Sequence, residues 1–306
     1  MSTQSPISPQ ANPSFSPKDE PPTTLRVGLL GARGHVGREL LRLIQVHPML
    51  SLDFATSSSQ VGEPIQSVAP EFDGTLSFIE TSPGAIIDHE ADLYILALPN
   101  DESRLFTQAI ETTRGEAALV VDLSADHRFD DGWVYGLSEL NAERLRFARR
   151  IANPGCYATS MMLGLAPLIS RLEGTPHVFG VSGYSGAGST PSNRNDPERL
   201  RDNLMPYQLS GHLHEREVSR HLGQAIRFAP HVAPFFRGIT TTILARLKRP
   251  MEPIELTQLY KHFYADHHLV EVRPDDIPFV RDATNSPQAT IGGLTIDENN
   301  PCHVSL

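Results

Sequence analysis

The sequence predicts an α/β protein with two parts: a parallel-sheet domain, then an α+β domain. Three observations lead there. Short apolar strands alternate with helical stretches through the first half. A glycine-rich turn joins the first strand to the first helix. After Asn153-Pro154-Gly155 the pattern changes to longer, β-branched segments with interspersed helices. A chain of 306 residues is long enough for two cores, at roughly 100–200 residues per domain.

Taken in order, residues 1–24 are rich in Ser, Pro and Gln and are expected to form a disordered tail. They lack the apolar stretch of a secretory signal and the Arg-rich character of a transit peptide. The apolar run 25–30, ending at a glycine-rich turn, reads as a buried strand. Val36, Leu40, Leu41, Leu43 and Ile44 fall at helical spacing, and His47-Pro48 stops that helix. Further strands are expected at 50–56, 93–98 and 118–123, with a helix about 106–109. Such alternation gives a parallel sheet with right-handed crossovers. Beyond it, a helix is expected from Cys156 to about position 172, and extended segments at 178–182, 225–230 and 239–247. A helix at 255–265 and a strand at 269–272 follow. The domains are drawn at 25–155 and 156–306.

Composition narrows the function. Lys plus Arg total 26 against 36 Asp plus Glu, a formal net charge of -10. Such a surface is poorly suited to nucleic acid or an anionic membrane, both of which call for clustered basic residues. No apolar run approaches the roughly 18 residues that span a bilayer. Two cysteines, Cys156 and Cys302, are too few for a disulfide scaffold and fit a reducing compartment.

Gly31-Ala32-Arg33-Gly34-His35-Val36-Gly37 is G-x-x-G-x-x-G between a strand and a helix. Glycines there allow a tight turn and close backbone approach, and the helix N-terminal amides meet a pyrophosphate. This predicts a Rossmann dinucleotide site using Gly31, Arg33, Gly34, His35, Val36 and Gly37; the competing reading is a glycine turn without ligand. The second strand ends in Thr56-Ser57-Ser58-Ser59, not in the carboxylate that binds a free ribose 2′-hydroxyl. Ser57, Ser58 and Arg33 would accommodate a 2′-phosphate, favouring NADP over NAD. A solvated serine loop explains the same residues.

Cys156 follows Asn153-Pro154-Gly155 at the start of a helix. Helix N-terminal amides favour the thiolate and can hold an oxyanion once a carbonyl is attacked. The alternative is a small buried hydrophobe. His212-Leu213-His214-Glu215-Arg216-Glu217 has H-x-H-x-x-E spacing. It is read as an acid/base group tuned by a carboxylate rather than as a metal site, with a solvated helix as the competing reading. Ser182 to Gly188, containing Ser185-Gly186, is a backbone-exposing loop suited to a nicotinamide or a substrate. Arg237 offers a guanidinium to a carboxylate or phosphate, or a surface ion pair.

Together GLLGARGHVG, VDLSADHRFDDGWVYGL, NPGCYATS, FGVSGYSGAGSTPS, DNLMPYQLSGHLHEREVS and PHVAPFFRGIT resemble the N-acetyl-gamma-glutamyl-phosphate reductases of arginine biosynthesis. The likeness is strongest from 26 to 247, near the branch holding fungal mitochondrial domains and certain bacterial enzymes. It implies a Rossmann domain joined to an α+β catalytic domain like that of glyceraldehyde-3-phosphate dehydrogenase. It further implies NADPH as cofactor, Cys156 as nucleophile, and His212, His214 and Glu217 as the H-x-H-x-x-E motif, His214 being the acid/base. Substrate contacts are expected at Ser124, Arg128, Asn153 and Arg237, and a homo-dimer or homo-tetramer in the cytoplasm, with a mitochondrial matrix location as the alternative.

One departure stands out. The family usually continues with a D-N-L-L-K-G-A-type segment whose helix returns to the dinucleotide domain. Here the sequence reads Asn299-Asn300-Pro301-Cys302-His303-Val304-Ser305-Leu306. That leads to an expectation of weaker cofactor grip and lower stability. It also keeps a non-catalytic NADP-binding regulator as a rival, alongside an aspartate-semialdehyde dehydrogenase-like enzyme.

Overall fold

The computed structural model describes residues 24–284 and 286–306. The tail expected to be disordered lies outside them except for Thr24.

The first domain holds β1 (Leu25–Leu30), α1 (His35–Val46), β2 (Leu50–Ala55), α2 (Pro83–Ile87), β3 (Leu93–Leu96), α3 (Ser103–Arg114), β4 (Leu119–Asp122), β5 (Val134–Tyr135), α4 (Ser138–Leu145) and β6 (Arg150–Ala152). The strands form one parallel sheet in the order β2-β1-β3-β4-β6-β5. The chain direction across the sheet reverses between β1 and β3. Such a switch point opens a crevice at the carboxyl ends of the strands, and the glycine turn leaves β1 there. The expected stripe on α1 needs correction. Gly37, Leu41 and Ile44 face the core, whereas Val36 and Leu43 are exposed.

The second domain begins with α5 (Cys156–Leu165) and continues through β7 (His177–Gly183), α6 (Pro197–Leu200), β8 (Met205–Pro206), α7 (Leu213–Leu222), β9 (Arg227–Ala233), β10 (Ile239–Arg246), α8 (Pro253–Phe263), β11 (Val270–Arg273), β12 (Ala289–Gly292), β13 (Thr295–Asp297) and β14 (Asn300–Ser305). Six strands make a mixed sheet in the order β13-β14-β10-β7-β9-β8, and β11 pairs with β12 separately. The helix expected to reach position 172 gives way after Leu165 to a 3-10 stretch, where Pro167 lacks the amide a continuing helix needs.

Helix α5 is the centre of this domain. Tyr157, Ala158, Met161, Met162 and Leu165 are buried in its core, each large side chain contributing roughly 1.5–3 kcal/mol relative to exposure. Tyr260 of α8 donates to the Gly164 carbonyl at 2.5 Å, satisfying a group near the helix's C-terminal end. The burial of α5 holds its first residue, Cys156, still. The opposite face of the sheet is open: Phe179 on β7 and Leu244 on β10 are 43% and 54% exposed.

Candidate active site

Gly31 adopts φ +81°, and a Cβ there would collide with the Ala97 carbonyl oxygen on the neighbouring strand. Its amide donates to Thr56 Oγ1 at 3.1 Å, and Thr56 also accepts from Thr81 Oγ1 at 2.8 Å. Gly37 lies against the backbone of Ala32, while Gly34 faces open space. No side chain caps the N-terminus of α1, so its first amides are left for a ligand. A close-approaching, uncapped cradle of this kind fits a dinucleotide pyrophosphate. Ser57 and Ser58 divide the work expected of both. Ser57 is buried, and its hydroxyl accepts from the amides of Ser59 and Gln60 at 3.4 and 3.2 Å. It shapes the loop, whereas Ser58 and Arg33 are exposed beside the cradle.

Cys156 is the first residue of α5, after Gly155 as N-cap. The residue has exposed surface. Burial pushes the thiol up, outweighing the Tyr157 amide and the Arg128 charge that favour the thiolate. The helix-terminal amides favour the thiolate as expected, and burial works against them.

Beside this turn stands His214. Its Nε2 packs so closely on Gly155 that a Cβ at 155 would collide with it. Burial, His212 and Arg128 depress the imidazole to about 3. Nδ1 is buried without a partner, so nothing rewards a second proton, and the ring is a neutral base at ordinary pH. His212 caps α7 instead, its Nδ1 accepting from the His214 amide at 3.1 Å.

Glu217 has no solvent exposure. Its Oε1 accepts from the Gly155 amide at 2.8 Å and the Tyr135 hydroxyl at 2.6 Å, and its Oε2 accepts from Arg128 Nη1 at 3.1 Å. These contacts anchor the nucleophile turn to α7, and Glu217 is placed to orient the residues around His214. Arg128 is likewise committed: Nε donates to the Asn153 carbonyl and Nη2 to the Leu123 carbonyl, both at 2.9 Å. Arg128, expected at the substrate, clamps the nucleophile turn. Ser124, also expected to touch substrate, donates to Asp122 Oδ2 at 2.8 Å and accepts from the Asp126 amide. Asn153 keeps its side chain on the Pro154 carbonyl at 3.1 Å.

Arg237 lies across the domain boundary, paired with Glu39 of α1 at 2.9 Å. The ion-pair alternative raised by its sequence is the one formed. Gly183, Tyr184 and Ser185 donate their amides to the carbonyls of Gly238, Phe235 and Phe236. This fixes the loop carrying Ser185 and Gly186, where a Cβ on Gly186 would meet only the Ser182 hydroxyl at ordinary contact distance. Sequence reasoning missed Tyr135, Tyr207 and Arg194. A solitary tyrosine or arginine carries no spacing signal, and only folding brings these three beside Gly155 and His212. Among the described residues no group of three or more His, Cys, Asp or Glu side chains is arranged to hold a metal ion.

A dinucleotide cradle in one domain and, at the start of the next, a helix-terminal cysteine beside a neutral histidine define an aldehyde dehydrogenase of the acyl-thioester type. The sequence matches the semialdehyde dehydrogenase NAD binding domain over 26–148 and the semialdehyde dehydrogenase dimerisation domain over 156–305. Within that class, the chain belongs to the N-acetyl-gamma-glutamyl-phosphate reductase family. It is 46% identical over 274 residues to N-acetyl-gamma-glutamyl-phosphate reductase of Xanthomonas axonopodis pv. citri, covering 90% of this chain and 86% of the relative. It is 45% identical over 279 residues to a mitochondrial bifunctional protein of Dictyostelium discoideum, covering 90% of this chain and 33% of the relative. Among solved structures it is similar to aspartate semialdehyde dehydrogenase of Francisella tularensis, with TM-score 0.72 and 14% identity over 92% of this chain and 93% of the other. The Candida albicans enzyme with NADP gives TM-score 0.69 and 17% identity over 92% of each chain.

Proposed function

We propose that this chain catalyses the NADPH-dependent reduction of N-acetyl-gamma-glutamyl phosphate to N-acetylglutamate semialdehyde and phosphate. The observation that supports it most is a neutral imidazole packed against the residue that precedes a helix-terminal thiol. Cys156 and His214 are the proposed catalytic residues; Gly31, Arg33, Gly34, His35, Gly37, Ser58, Ser185 and Gly186 would hold the cofactor. Residues 25–155 bind the dinucleotide, and 156–306 supply the chemistry and the subunit contact.

His214 takes the proton of the Cys156 thiol as the sulfur attacks the acyl-phosphate carbonyl, the negative charge developing beside it stabilising an imidazolium that burial alone disfavours. The carbon–sulfur bond forms, phosphate leaves, and a thioester remains. The N-terminal amides of α5 hold the carbonyl oxygen while it carries charge. When bound, NADPH supplies a hydride to that carbonyl. His214 then moves a proton to and from the resulting oxygen, and the thiolate leaves as the aldehyde forms. Glu217, Tyr135 and Arg128 keep the turn from shifting during these changes of charge.

The open sheet face, with Phe179 and Leu244, is assigned to a homo-dimer contact, itself able to recur in a tetramer. No described helix is long and apolar enough to cross a membrane, and the cytoplasm is the proposed site of action. The direct test is phosphate-dependent oxidation of N-acetylglutamate semialdehyde, followed as NADPH formation and set beside aspartate semialdehyde. Preference for the aspartyl substrate would overturn the assignment. NADPH binding with an inert Cys156 would point to the regulator instead.

A further inference from the structure

An acylated glutamyl substrate carries a carboxylate at the end remote from the reacting carbonyl. That charge needs a cation the protein has not already used. Arg128 is committed to Glu217 and two carbonyls, and Arg237 to Glu39. Arg199 and Arg201, close by in sequence, pair with Asp196 and Glu198. Arg194 has no carboxylate partner among the described residues. Its guanidinium carbon lies 5.1 Å from the centroid of the Tyr207 ring. Tyr207 in turn meets His212 edge-on at 5.6 Å, and His212 lies 4.9 Å from His214. A continuous path of rings thus runs from the proposed base to Arg194.

The arginine is also held in place. Asn195, the next residue, donates to the carbonyls of Gly188 and Thr190 at 2.8 Å each and accepts from the Ser192 amide at 2.7 Å. Asp196 caps α6 by accepting from the Glu198 amide. The loop therefore fastens itself on both sides of a residue whose charged end stays exposed. Electrostatics agree: burial lowers His212, and the Arg194 charge lowers it further. Tyr207 is raised chiefly by burial, with Cys156 adding and Arg194 opposing.

We propose that Arg194 is the specificity-determining residue that binds the substrate's α-carboxylate, with Tyr207 as the platform beneath its guanidinium. This rests on the reaction assigned above. The phosphate is bonded to the reacting carbonyl and meets the protein at the sulfur. The carboxylate, several bonds away, is met at the rim, where Arg194 stands. Arginine suits this role because its planar fork matches a carboxylate.

The test compares N-acetylglutamate semialdehyde with 4-acetamidobutanal, which lacks only the α-carboxylate, in phosphate-dependent NADPH formation. The wild-type protein prefers the carboxylated aldehyde. In R194Q that ratio of kcat/KM falls about 10- to 100-fold, mostly through KM, as expected for loss of a charge-assisted hydrogen bond; R194K recovers part of it. A ratio within twofold of wild type overturns the proposal. So does a raised phosphate KM with an unmoved ratio, which would give the guanidinium to phosphate. A second readout needs no turnover: N-acetylglutamate slows alkylation of Cys156 by iodoacetamide in the wild type and not in R194Q. Wild-type silence toward both aldehydes would strike at the assigned reaction, and the alkylation experiment would still decide Arg194. Equal protection of both proteins, or of neither, overturns its role.

Discussion

The carboxylate of Glu217 accepts the amide hydrogen of Gly155, 62 residues earlier in the chain, at 2.8 Å. Gly155 precedes the nucleophile directly, and the same carboxylate binds Tyr135 and Arg128 of the other domain. The position of the reactive sulfur is thereby coupled to the contact between domains.

Removing this carboxylate should cost both stability and rate. Glu217→Ala leaves Arg128 buried and unpaired, which is expected to lower stability by about 3–5 kcal/mol. Glu217→Gln keeps the shape and an acceptor oxygen and should cost about 1–3 kcal/mol. Urea unfolding measures both. Equal stability of the alanine variant and the wild type would show that the anchor is not structural.

The thiol should react through a minor thiolate fraction at neutral pH. Burial raises Cys156 above its ordinary value of 9.0, so the thiolate fraction at pH 7 is smaller than that of a free cysteine. Its alkylation by iodoacetamide should climb steadily from pH 7 to 9. A plateau below pH 8 would restore the pre-formed thiolate.

His214 gives the protein an acid sensitivity whose sign is fixed. The folded state holds it near 3 against an ordinary value of 6.5. The unfolded chain therefore binds a proton first as pH falls. Stability present above about pH 6.5 is lost progressively toward pH 3. His214→Asn should flatten that part of the stability–pH curve, and an unchanged slope would remove His214 as its source.

Cofactor choice should respond to one exposed serine. Ser58→Asp places a carboxylate beside the proposed 2′-phosphate position and should raise the NADPH dissociation constant about tenfold or more. NADH binding should be little affected. Titration of both nucleotides by fluorescence checks this, and parallel losses would point to a loop effect.

The dimer contact can be tested at its apolar centre. Phe179 and Leu244 are exposed on adjacent strands of the open sheet. The double variant F179E/L244E should sediment as a monomer. An unchanged sedimentation coefficient would move the contact elsewhere.

Local pattern made the first domain legible. Periodicity, the glycine turn and His47-Pro48 place β1, α1 and β2, because each depends on neighbours only a few residues away. The sequence also marks Cys156 as the opening of α5, since Pro154-Gly155 forces a turn and the apolar residues after it require burial. Chemistry assembled from distant segments was not legible. Only tertiary structure brings Glu217 onto the Gly155 amide, gives Ser57 and Ser124 their loop contacts, ties Arg237 to Glu39 and leaves Arg194 uncommitted. It also sets burial against the helix terminus at the thiol. Helix geometry is local and readable, whereas desolvation depends on everything the fold packs around the sulfur.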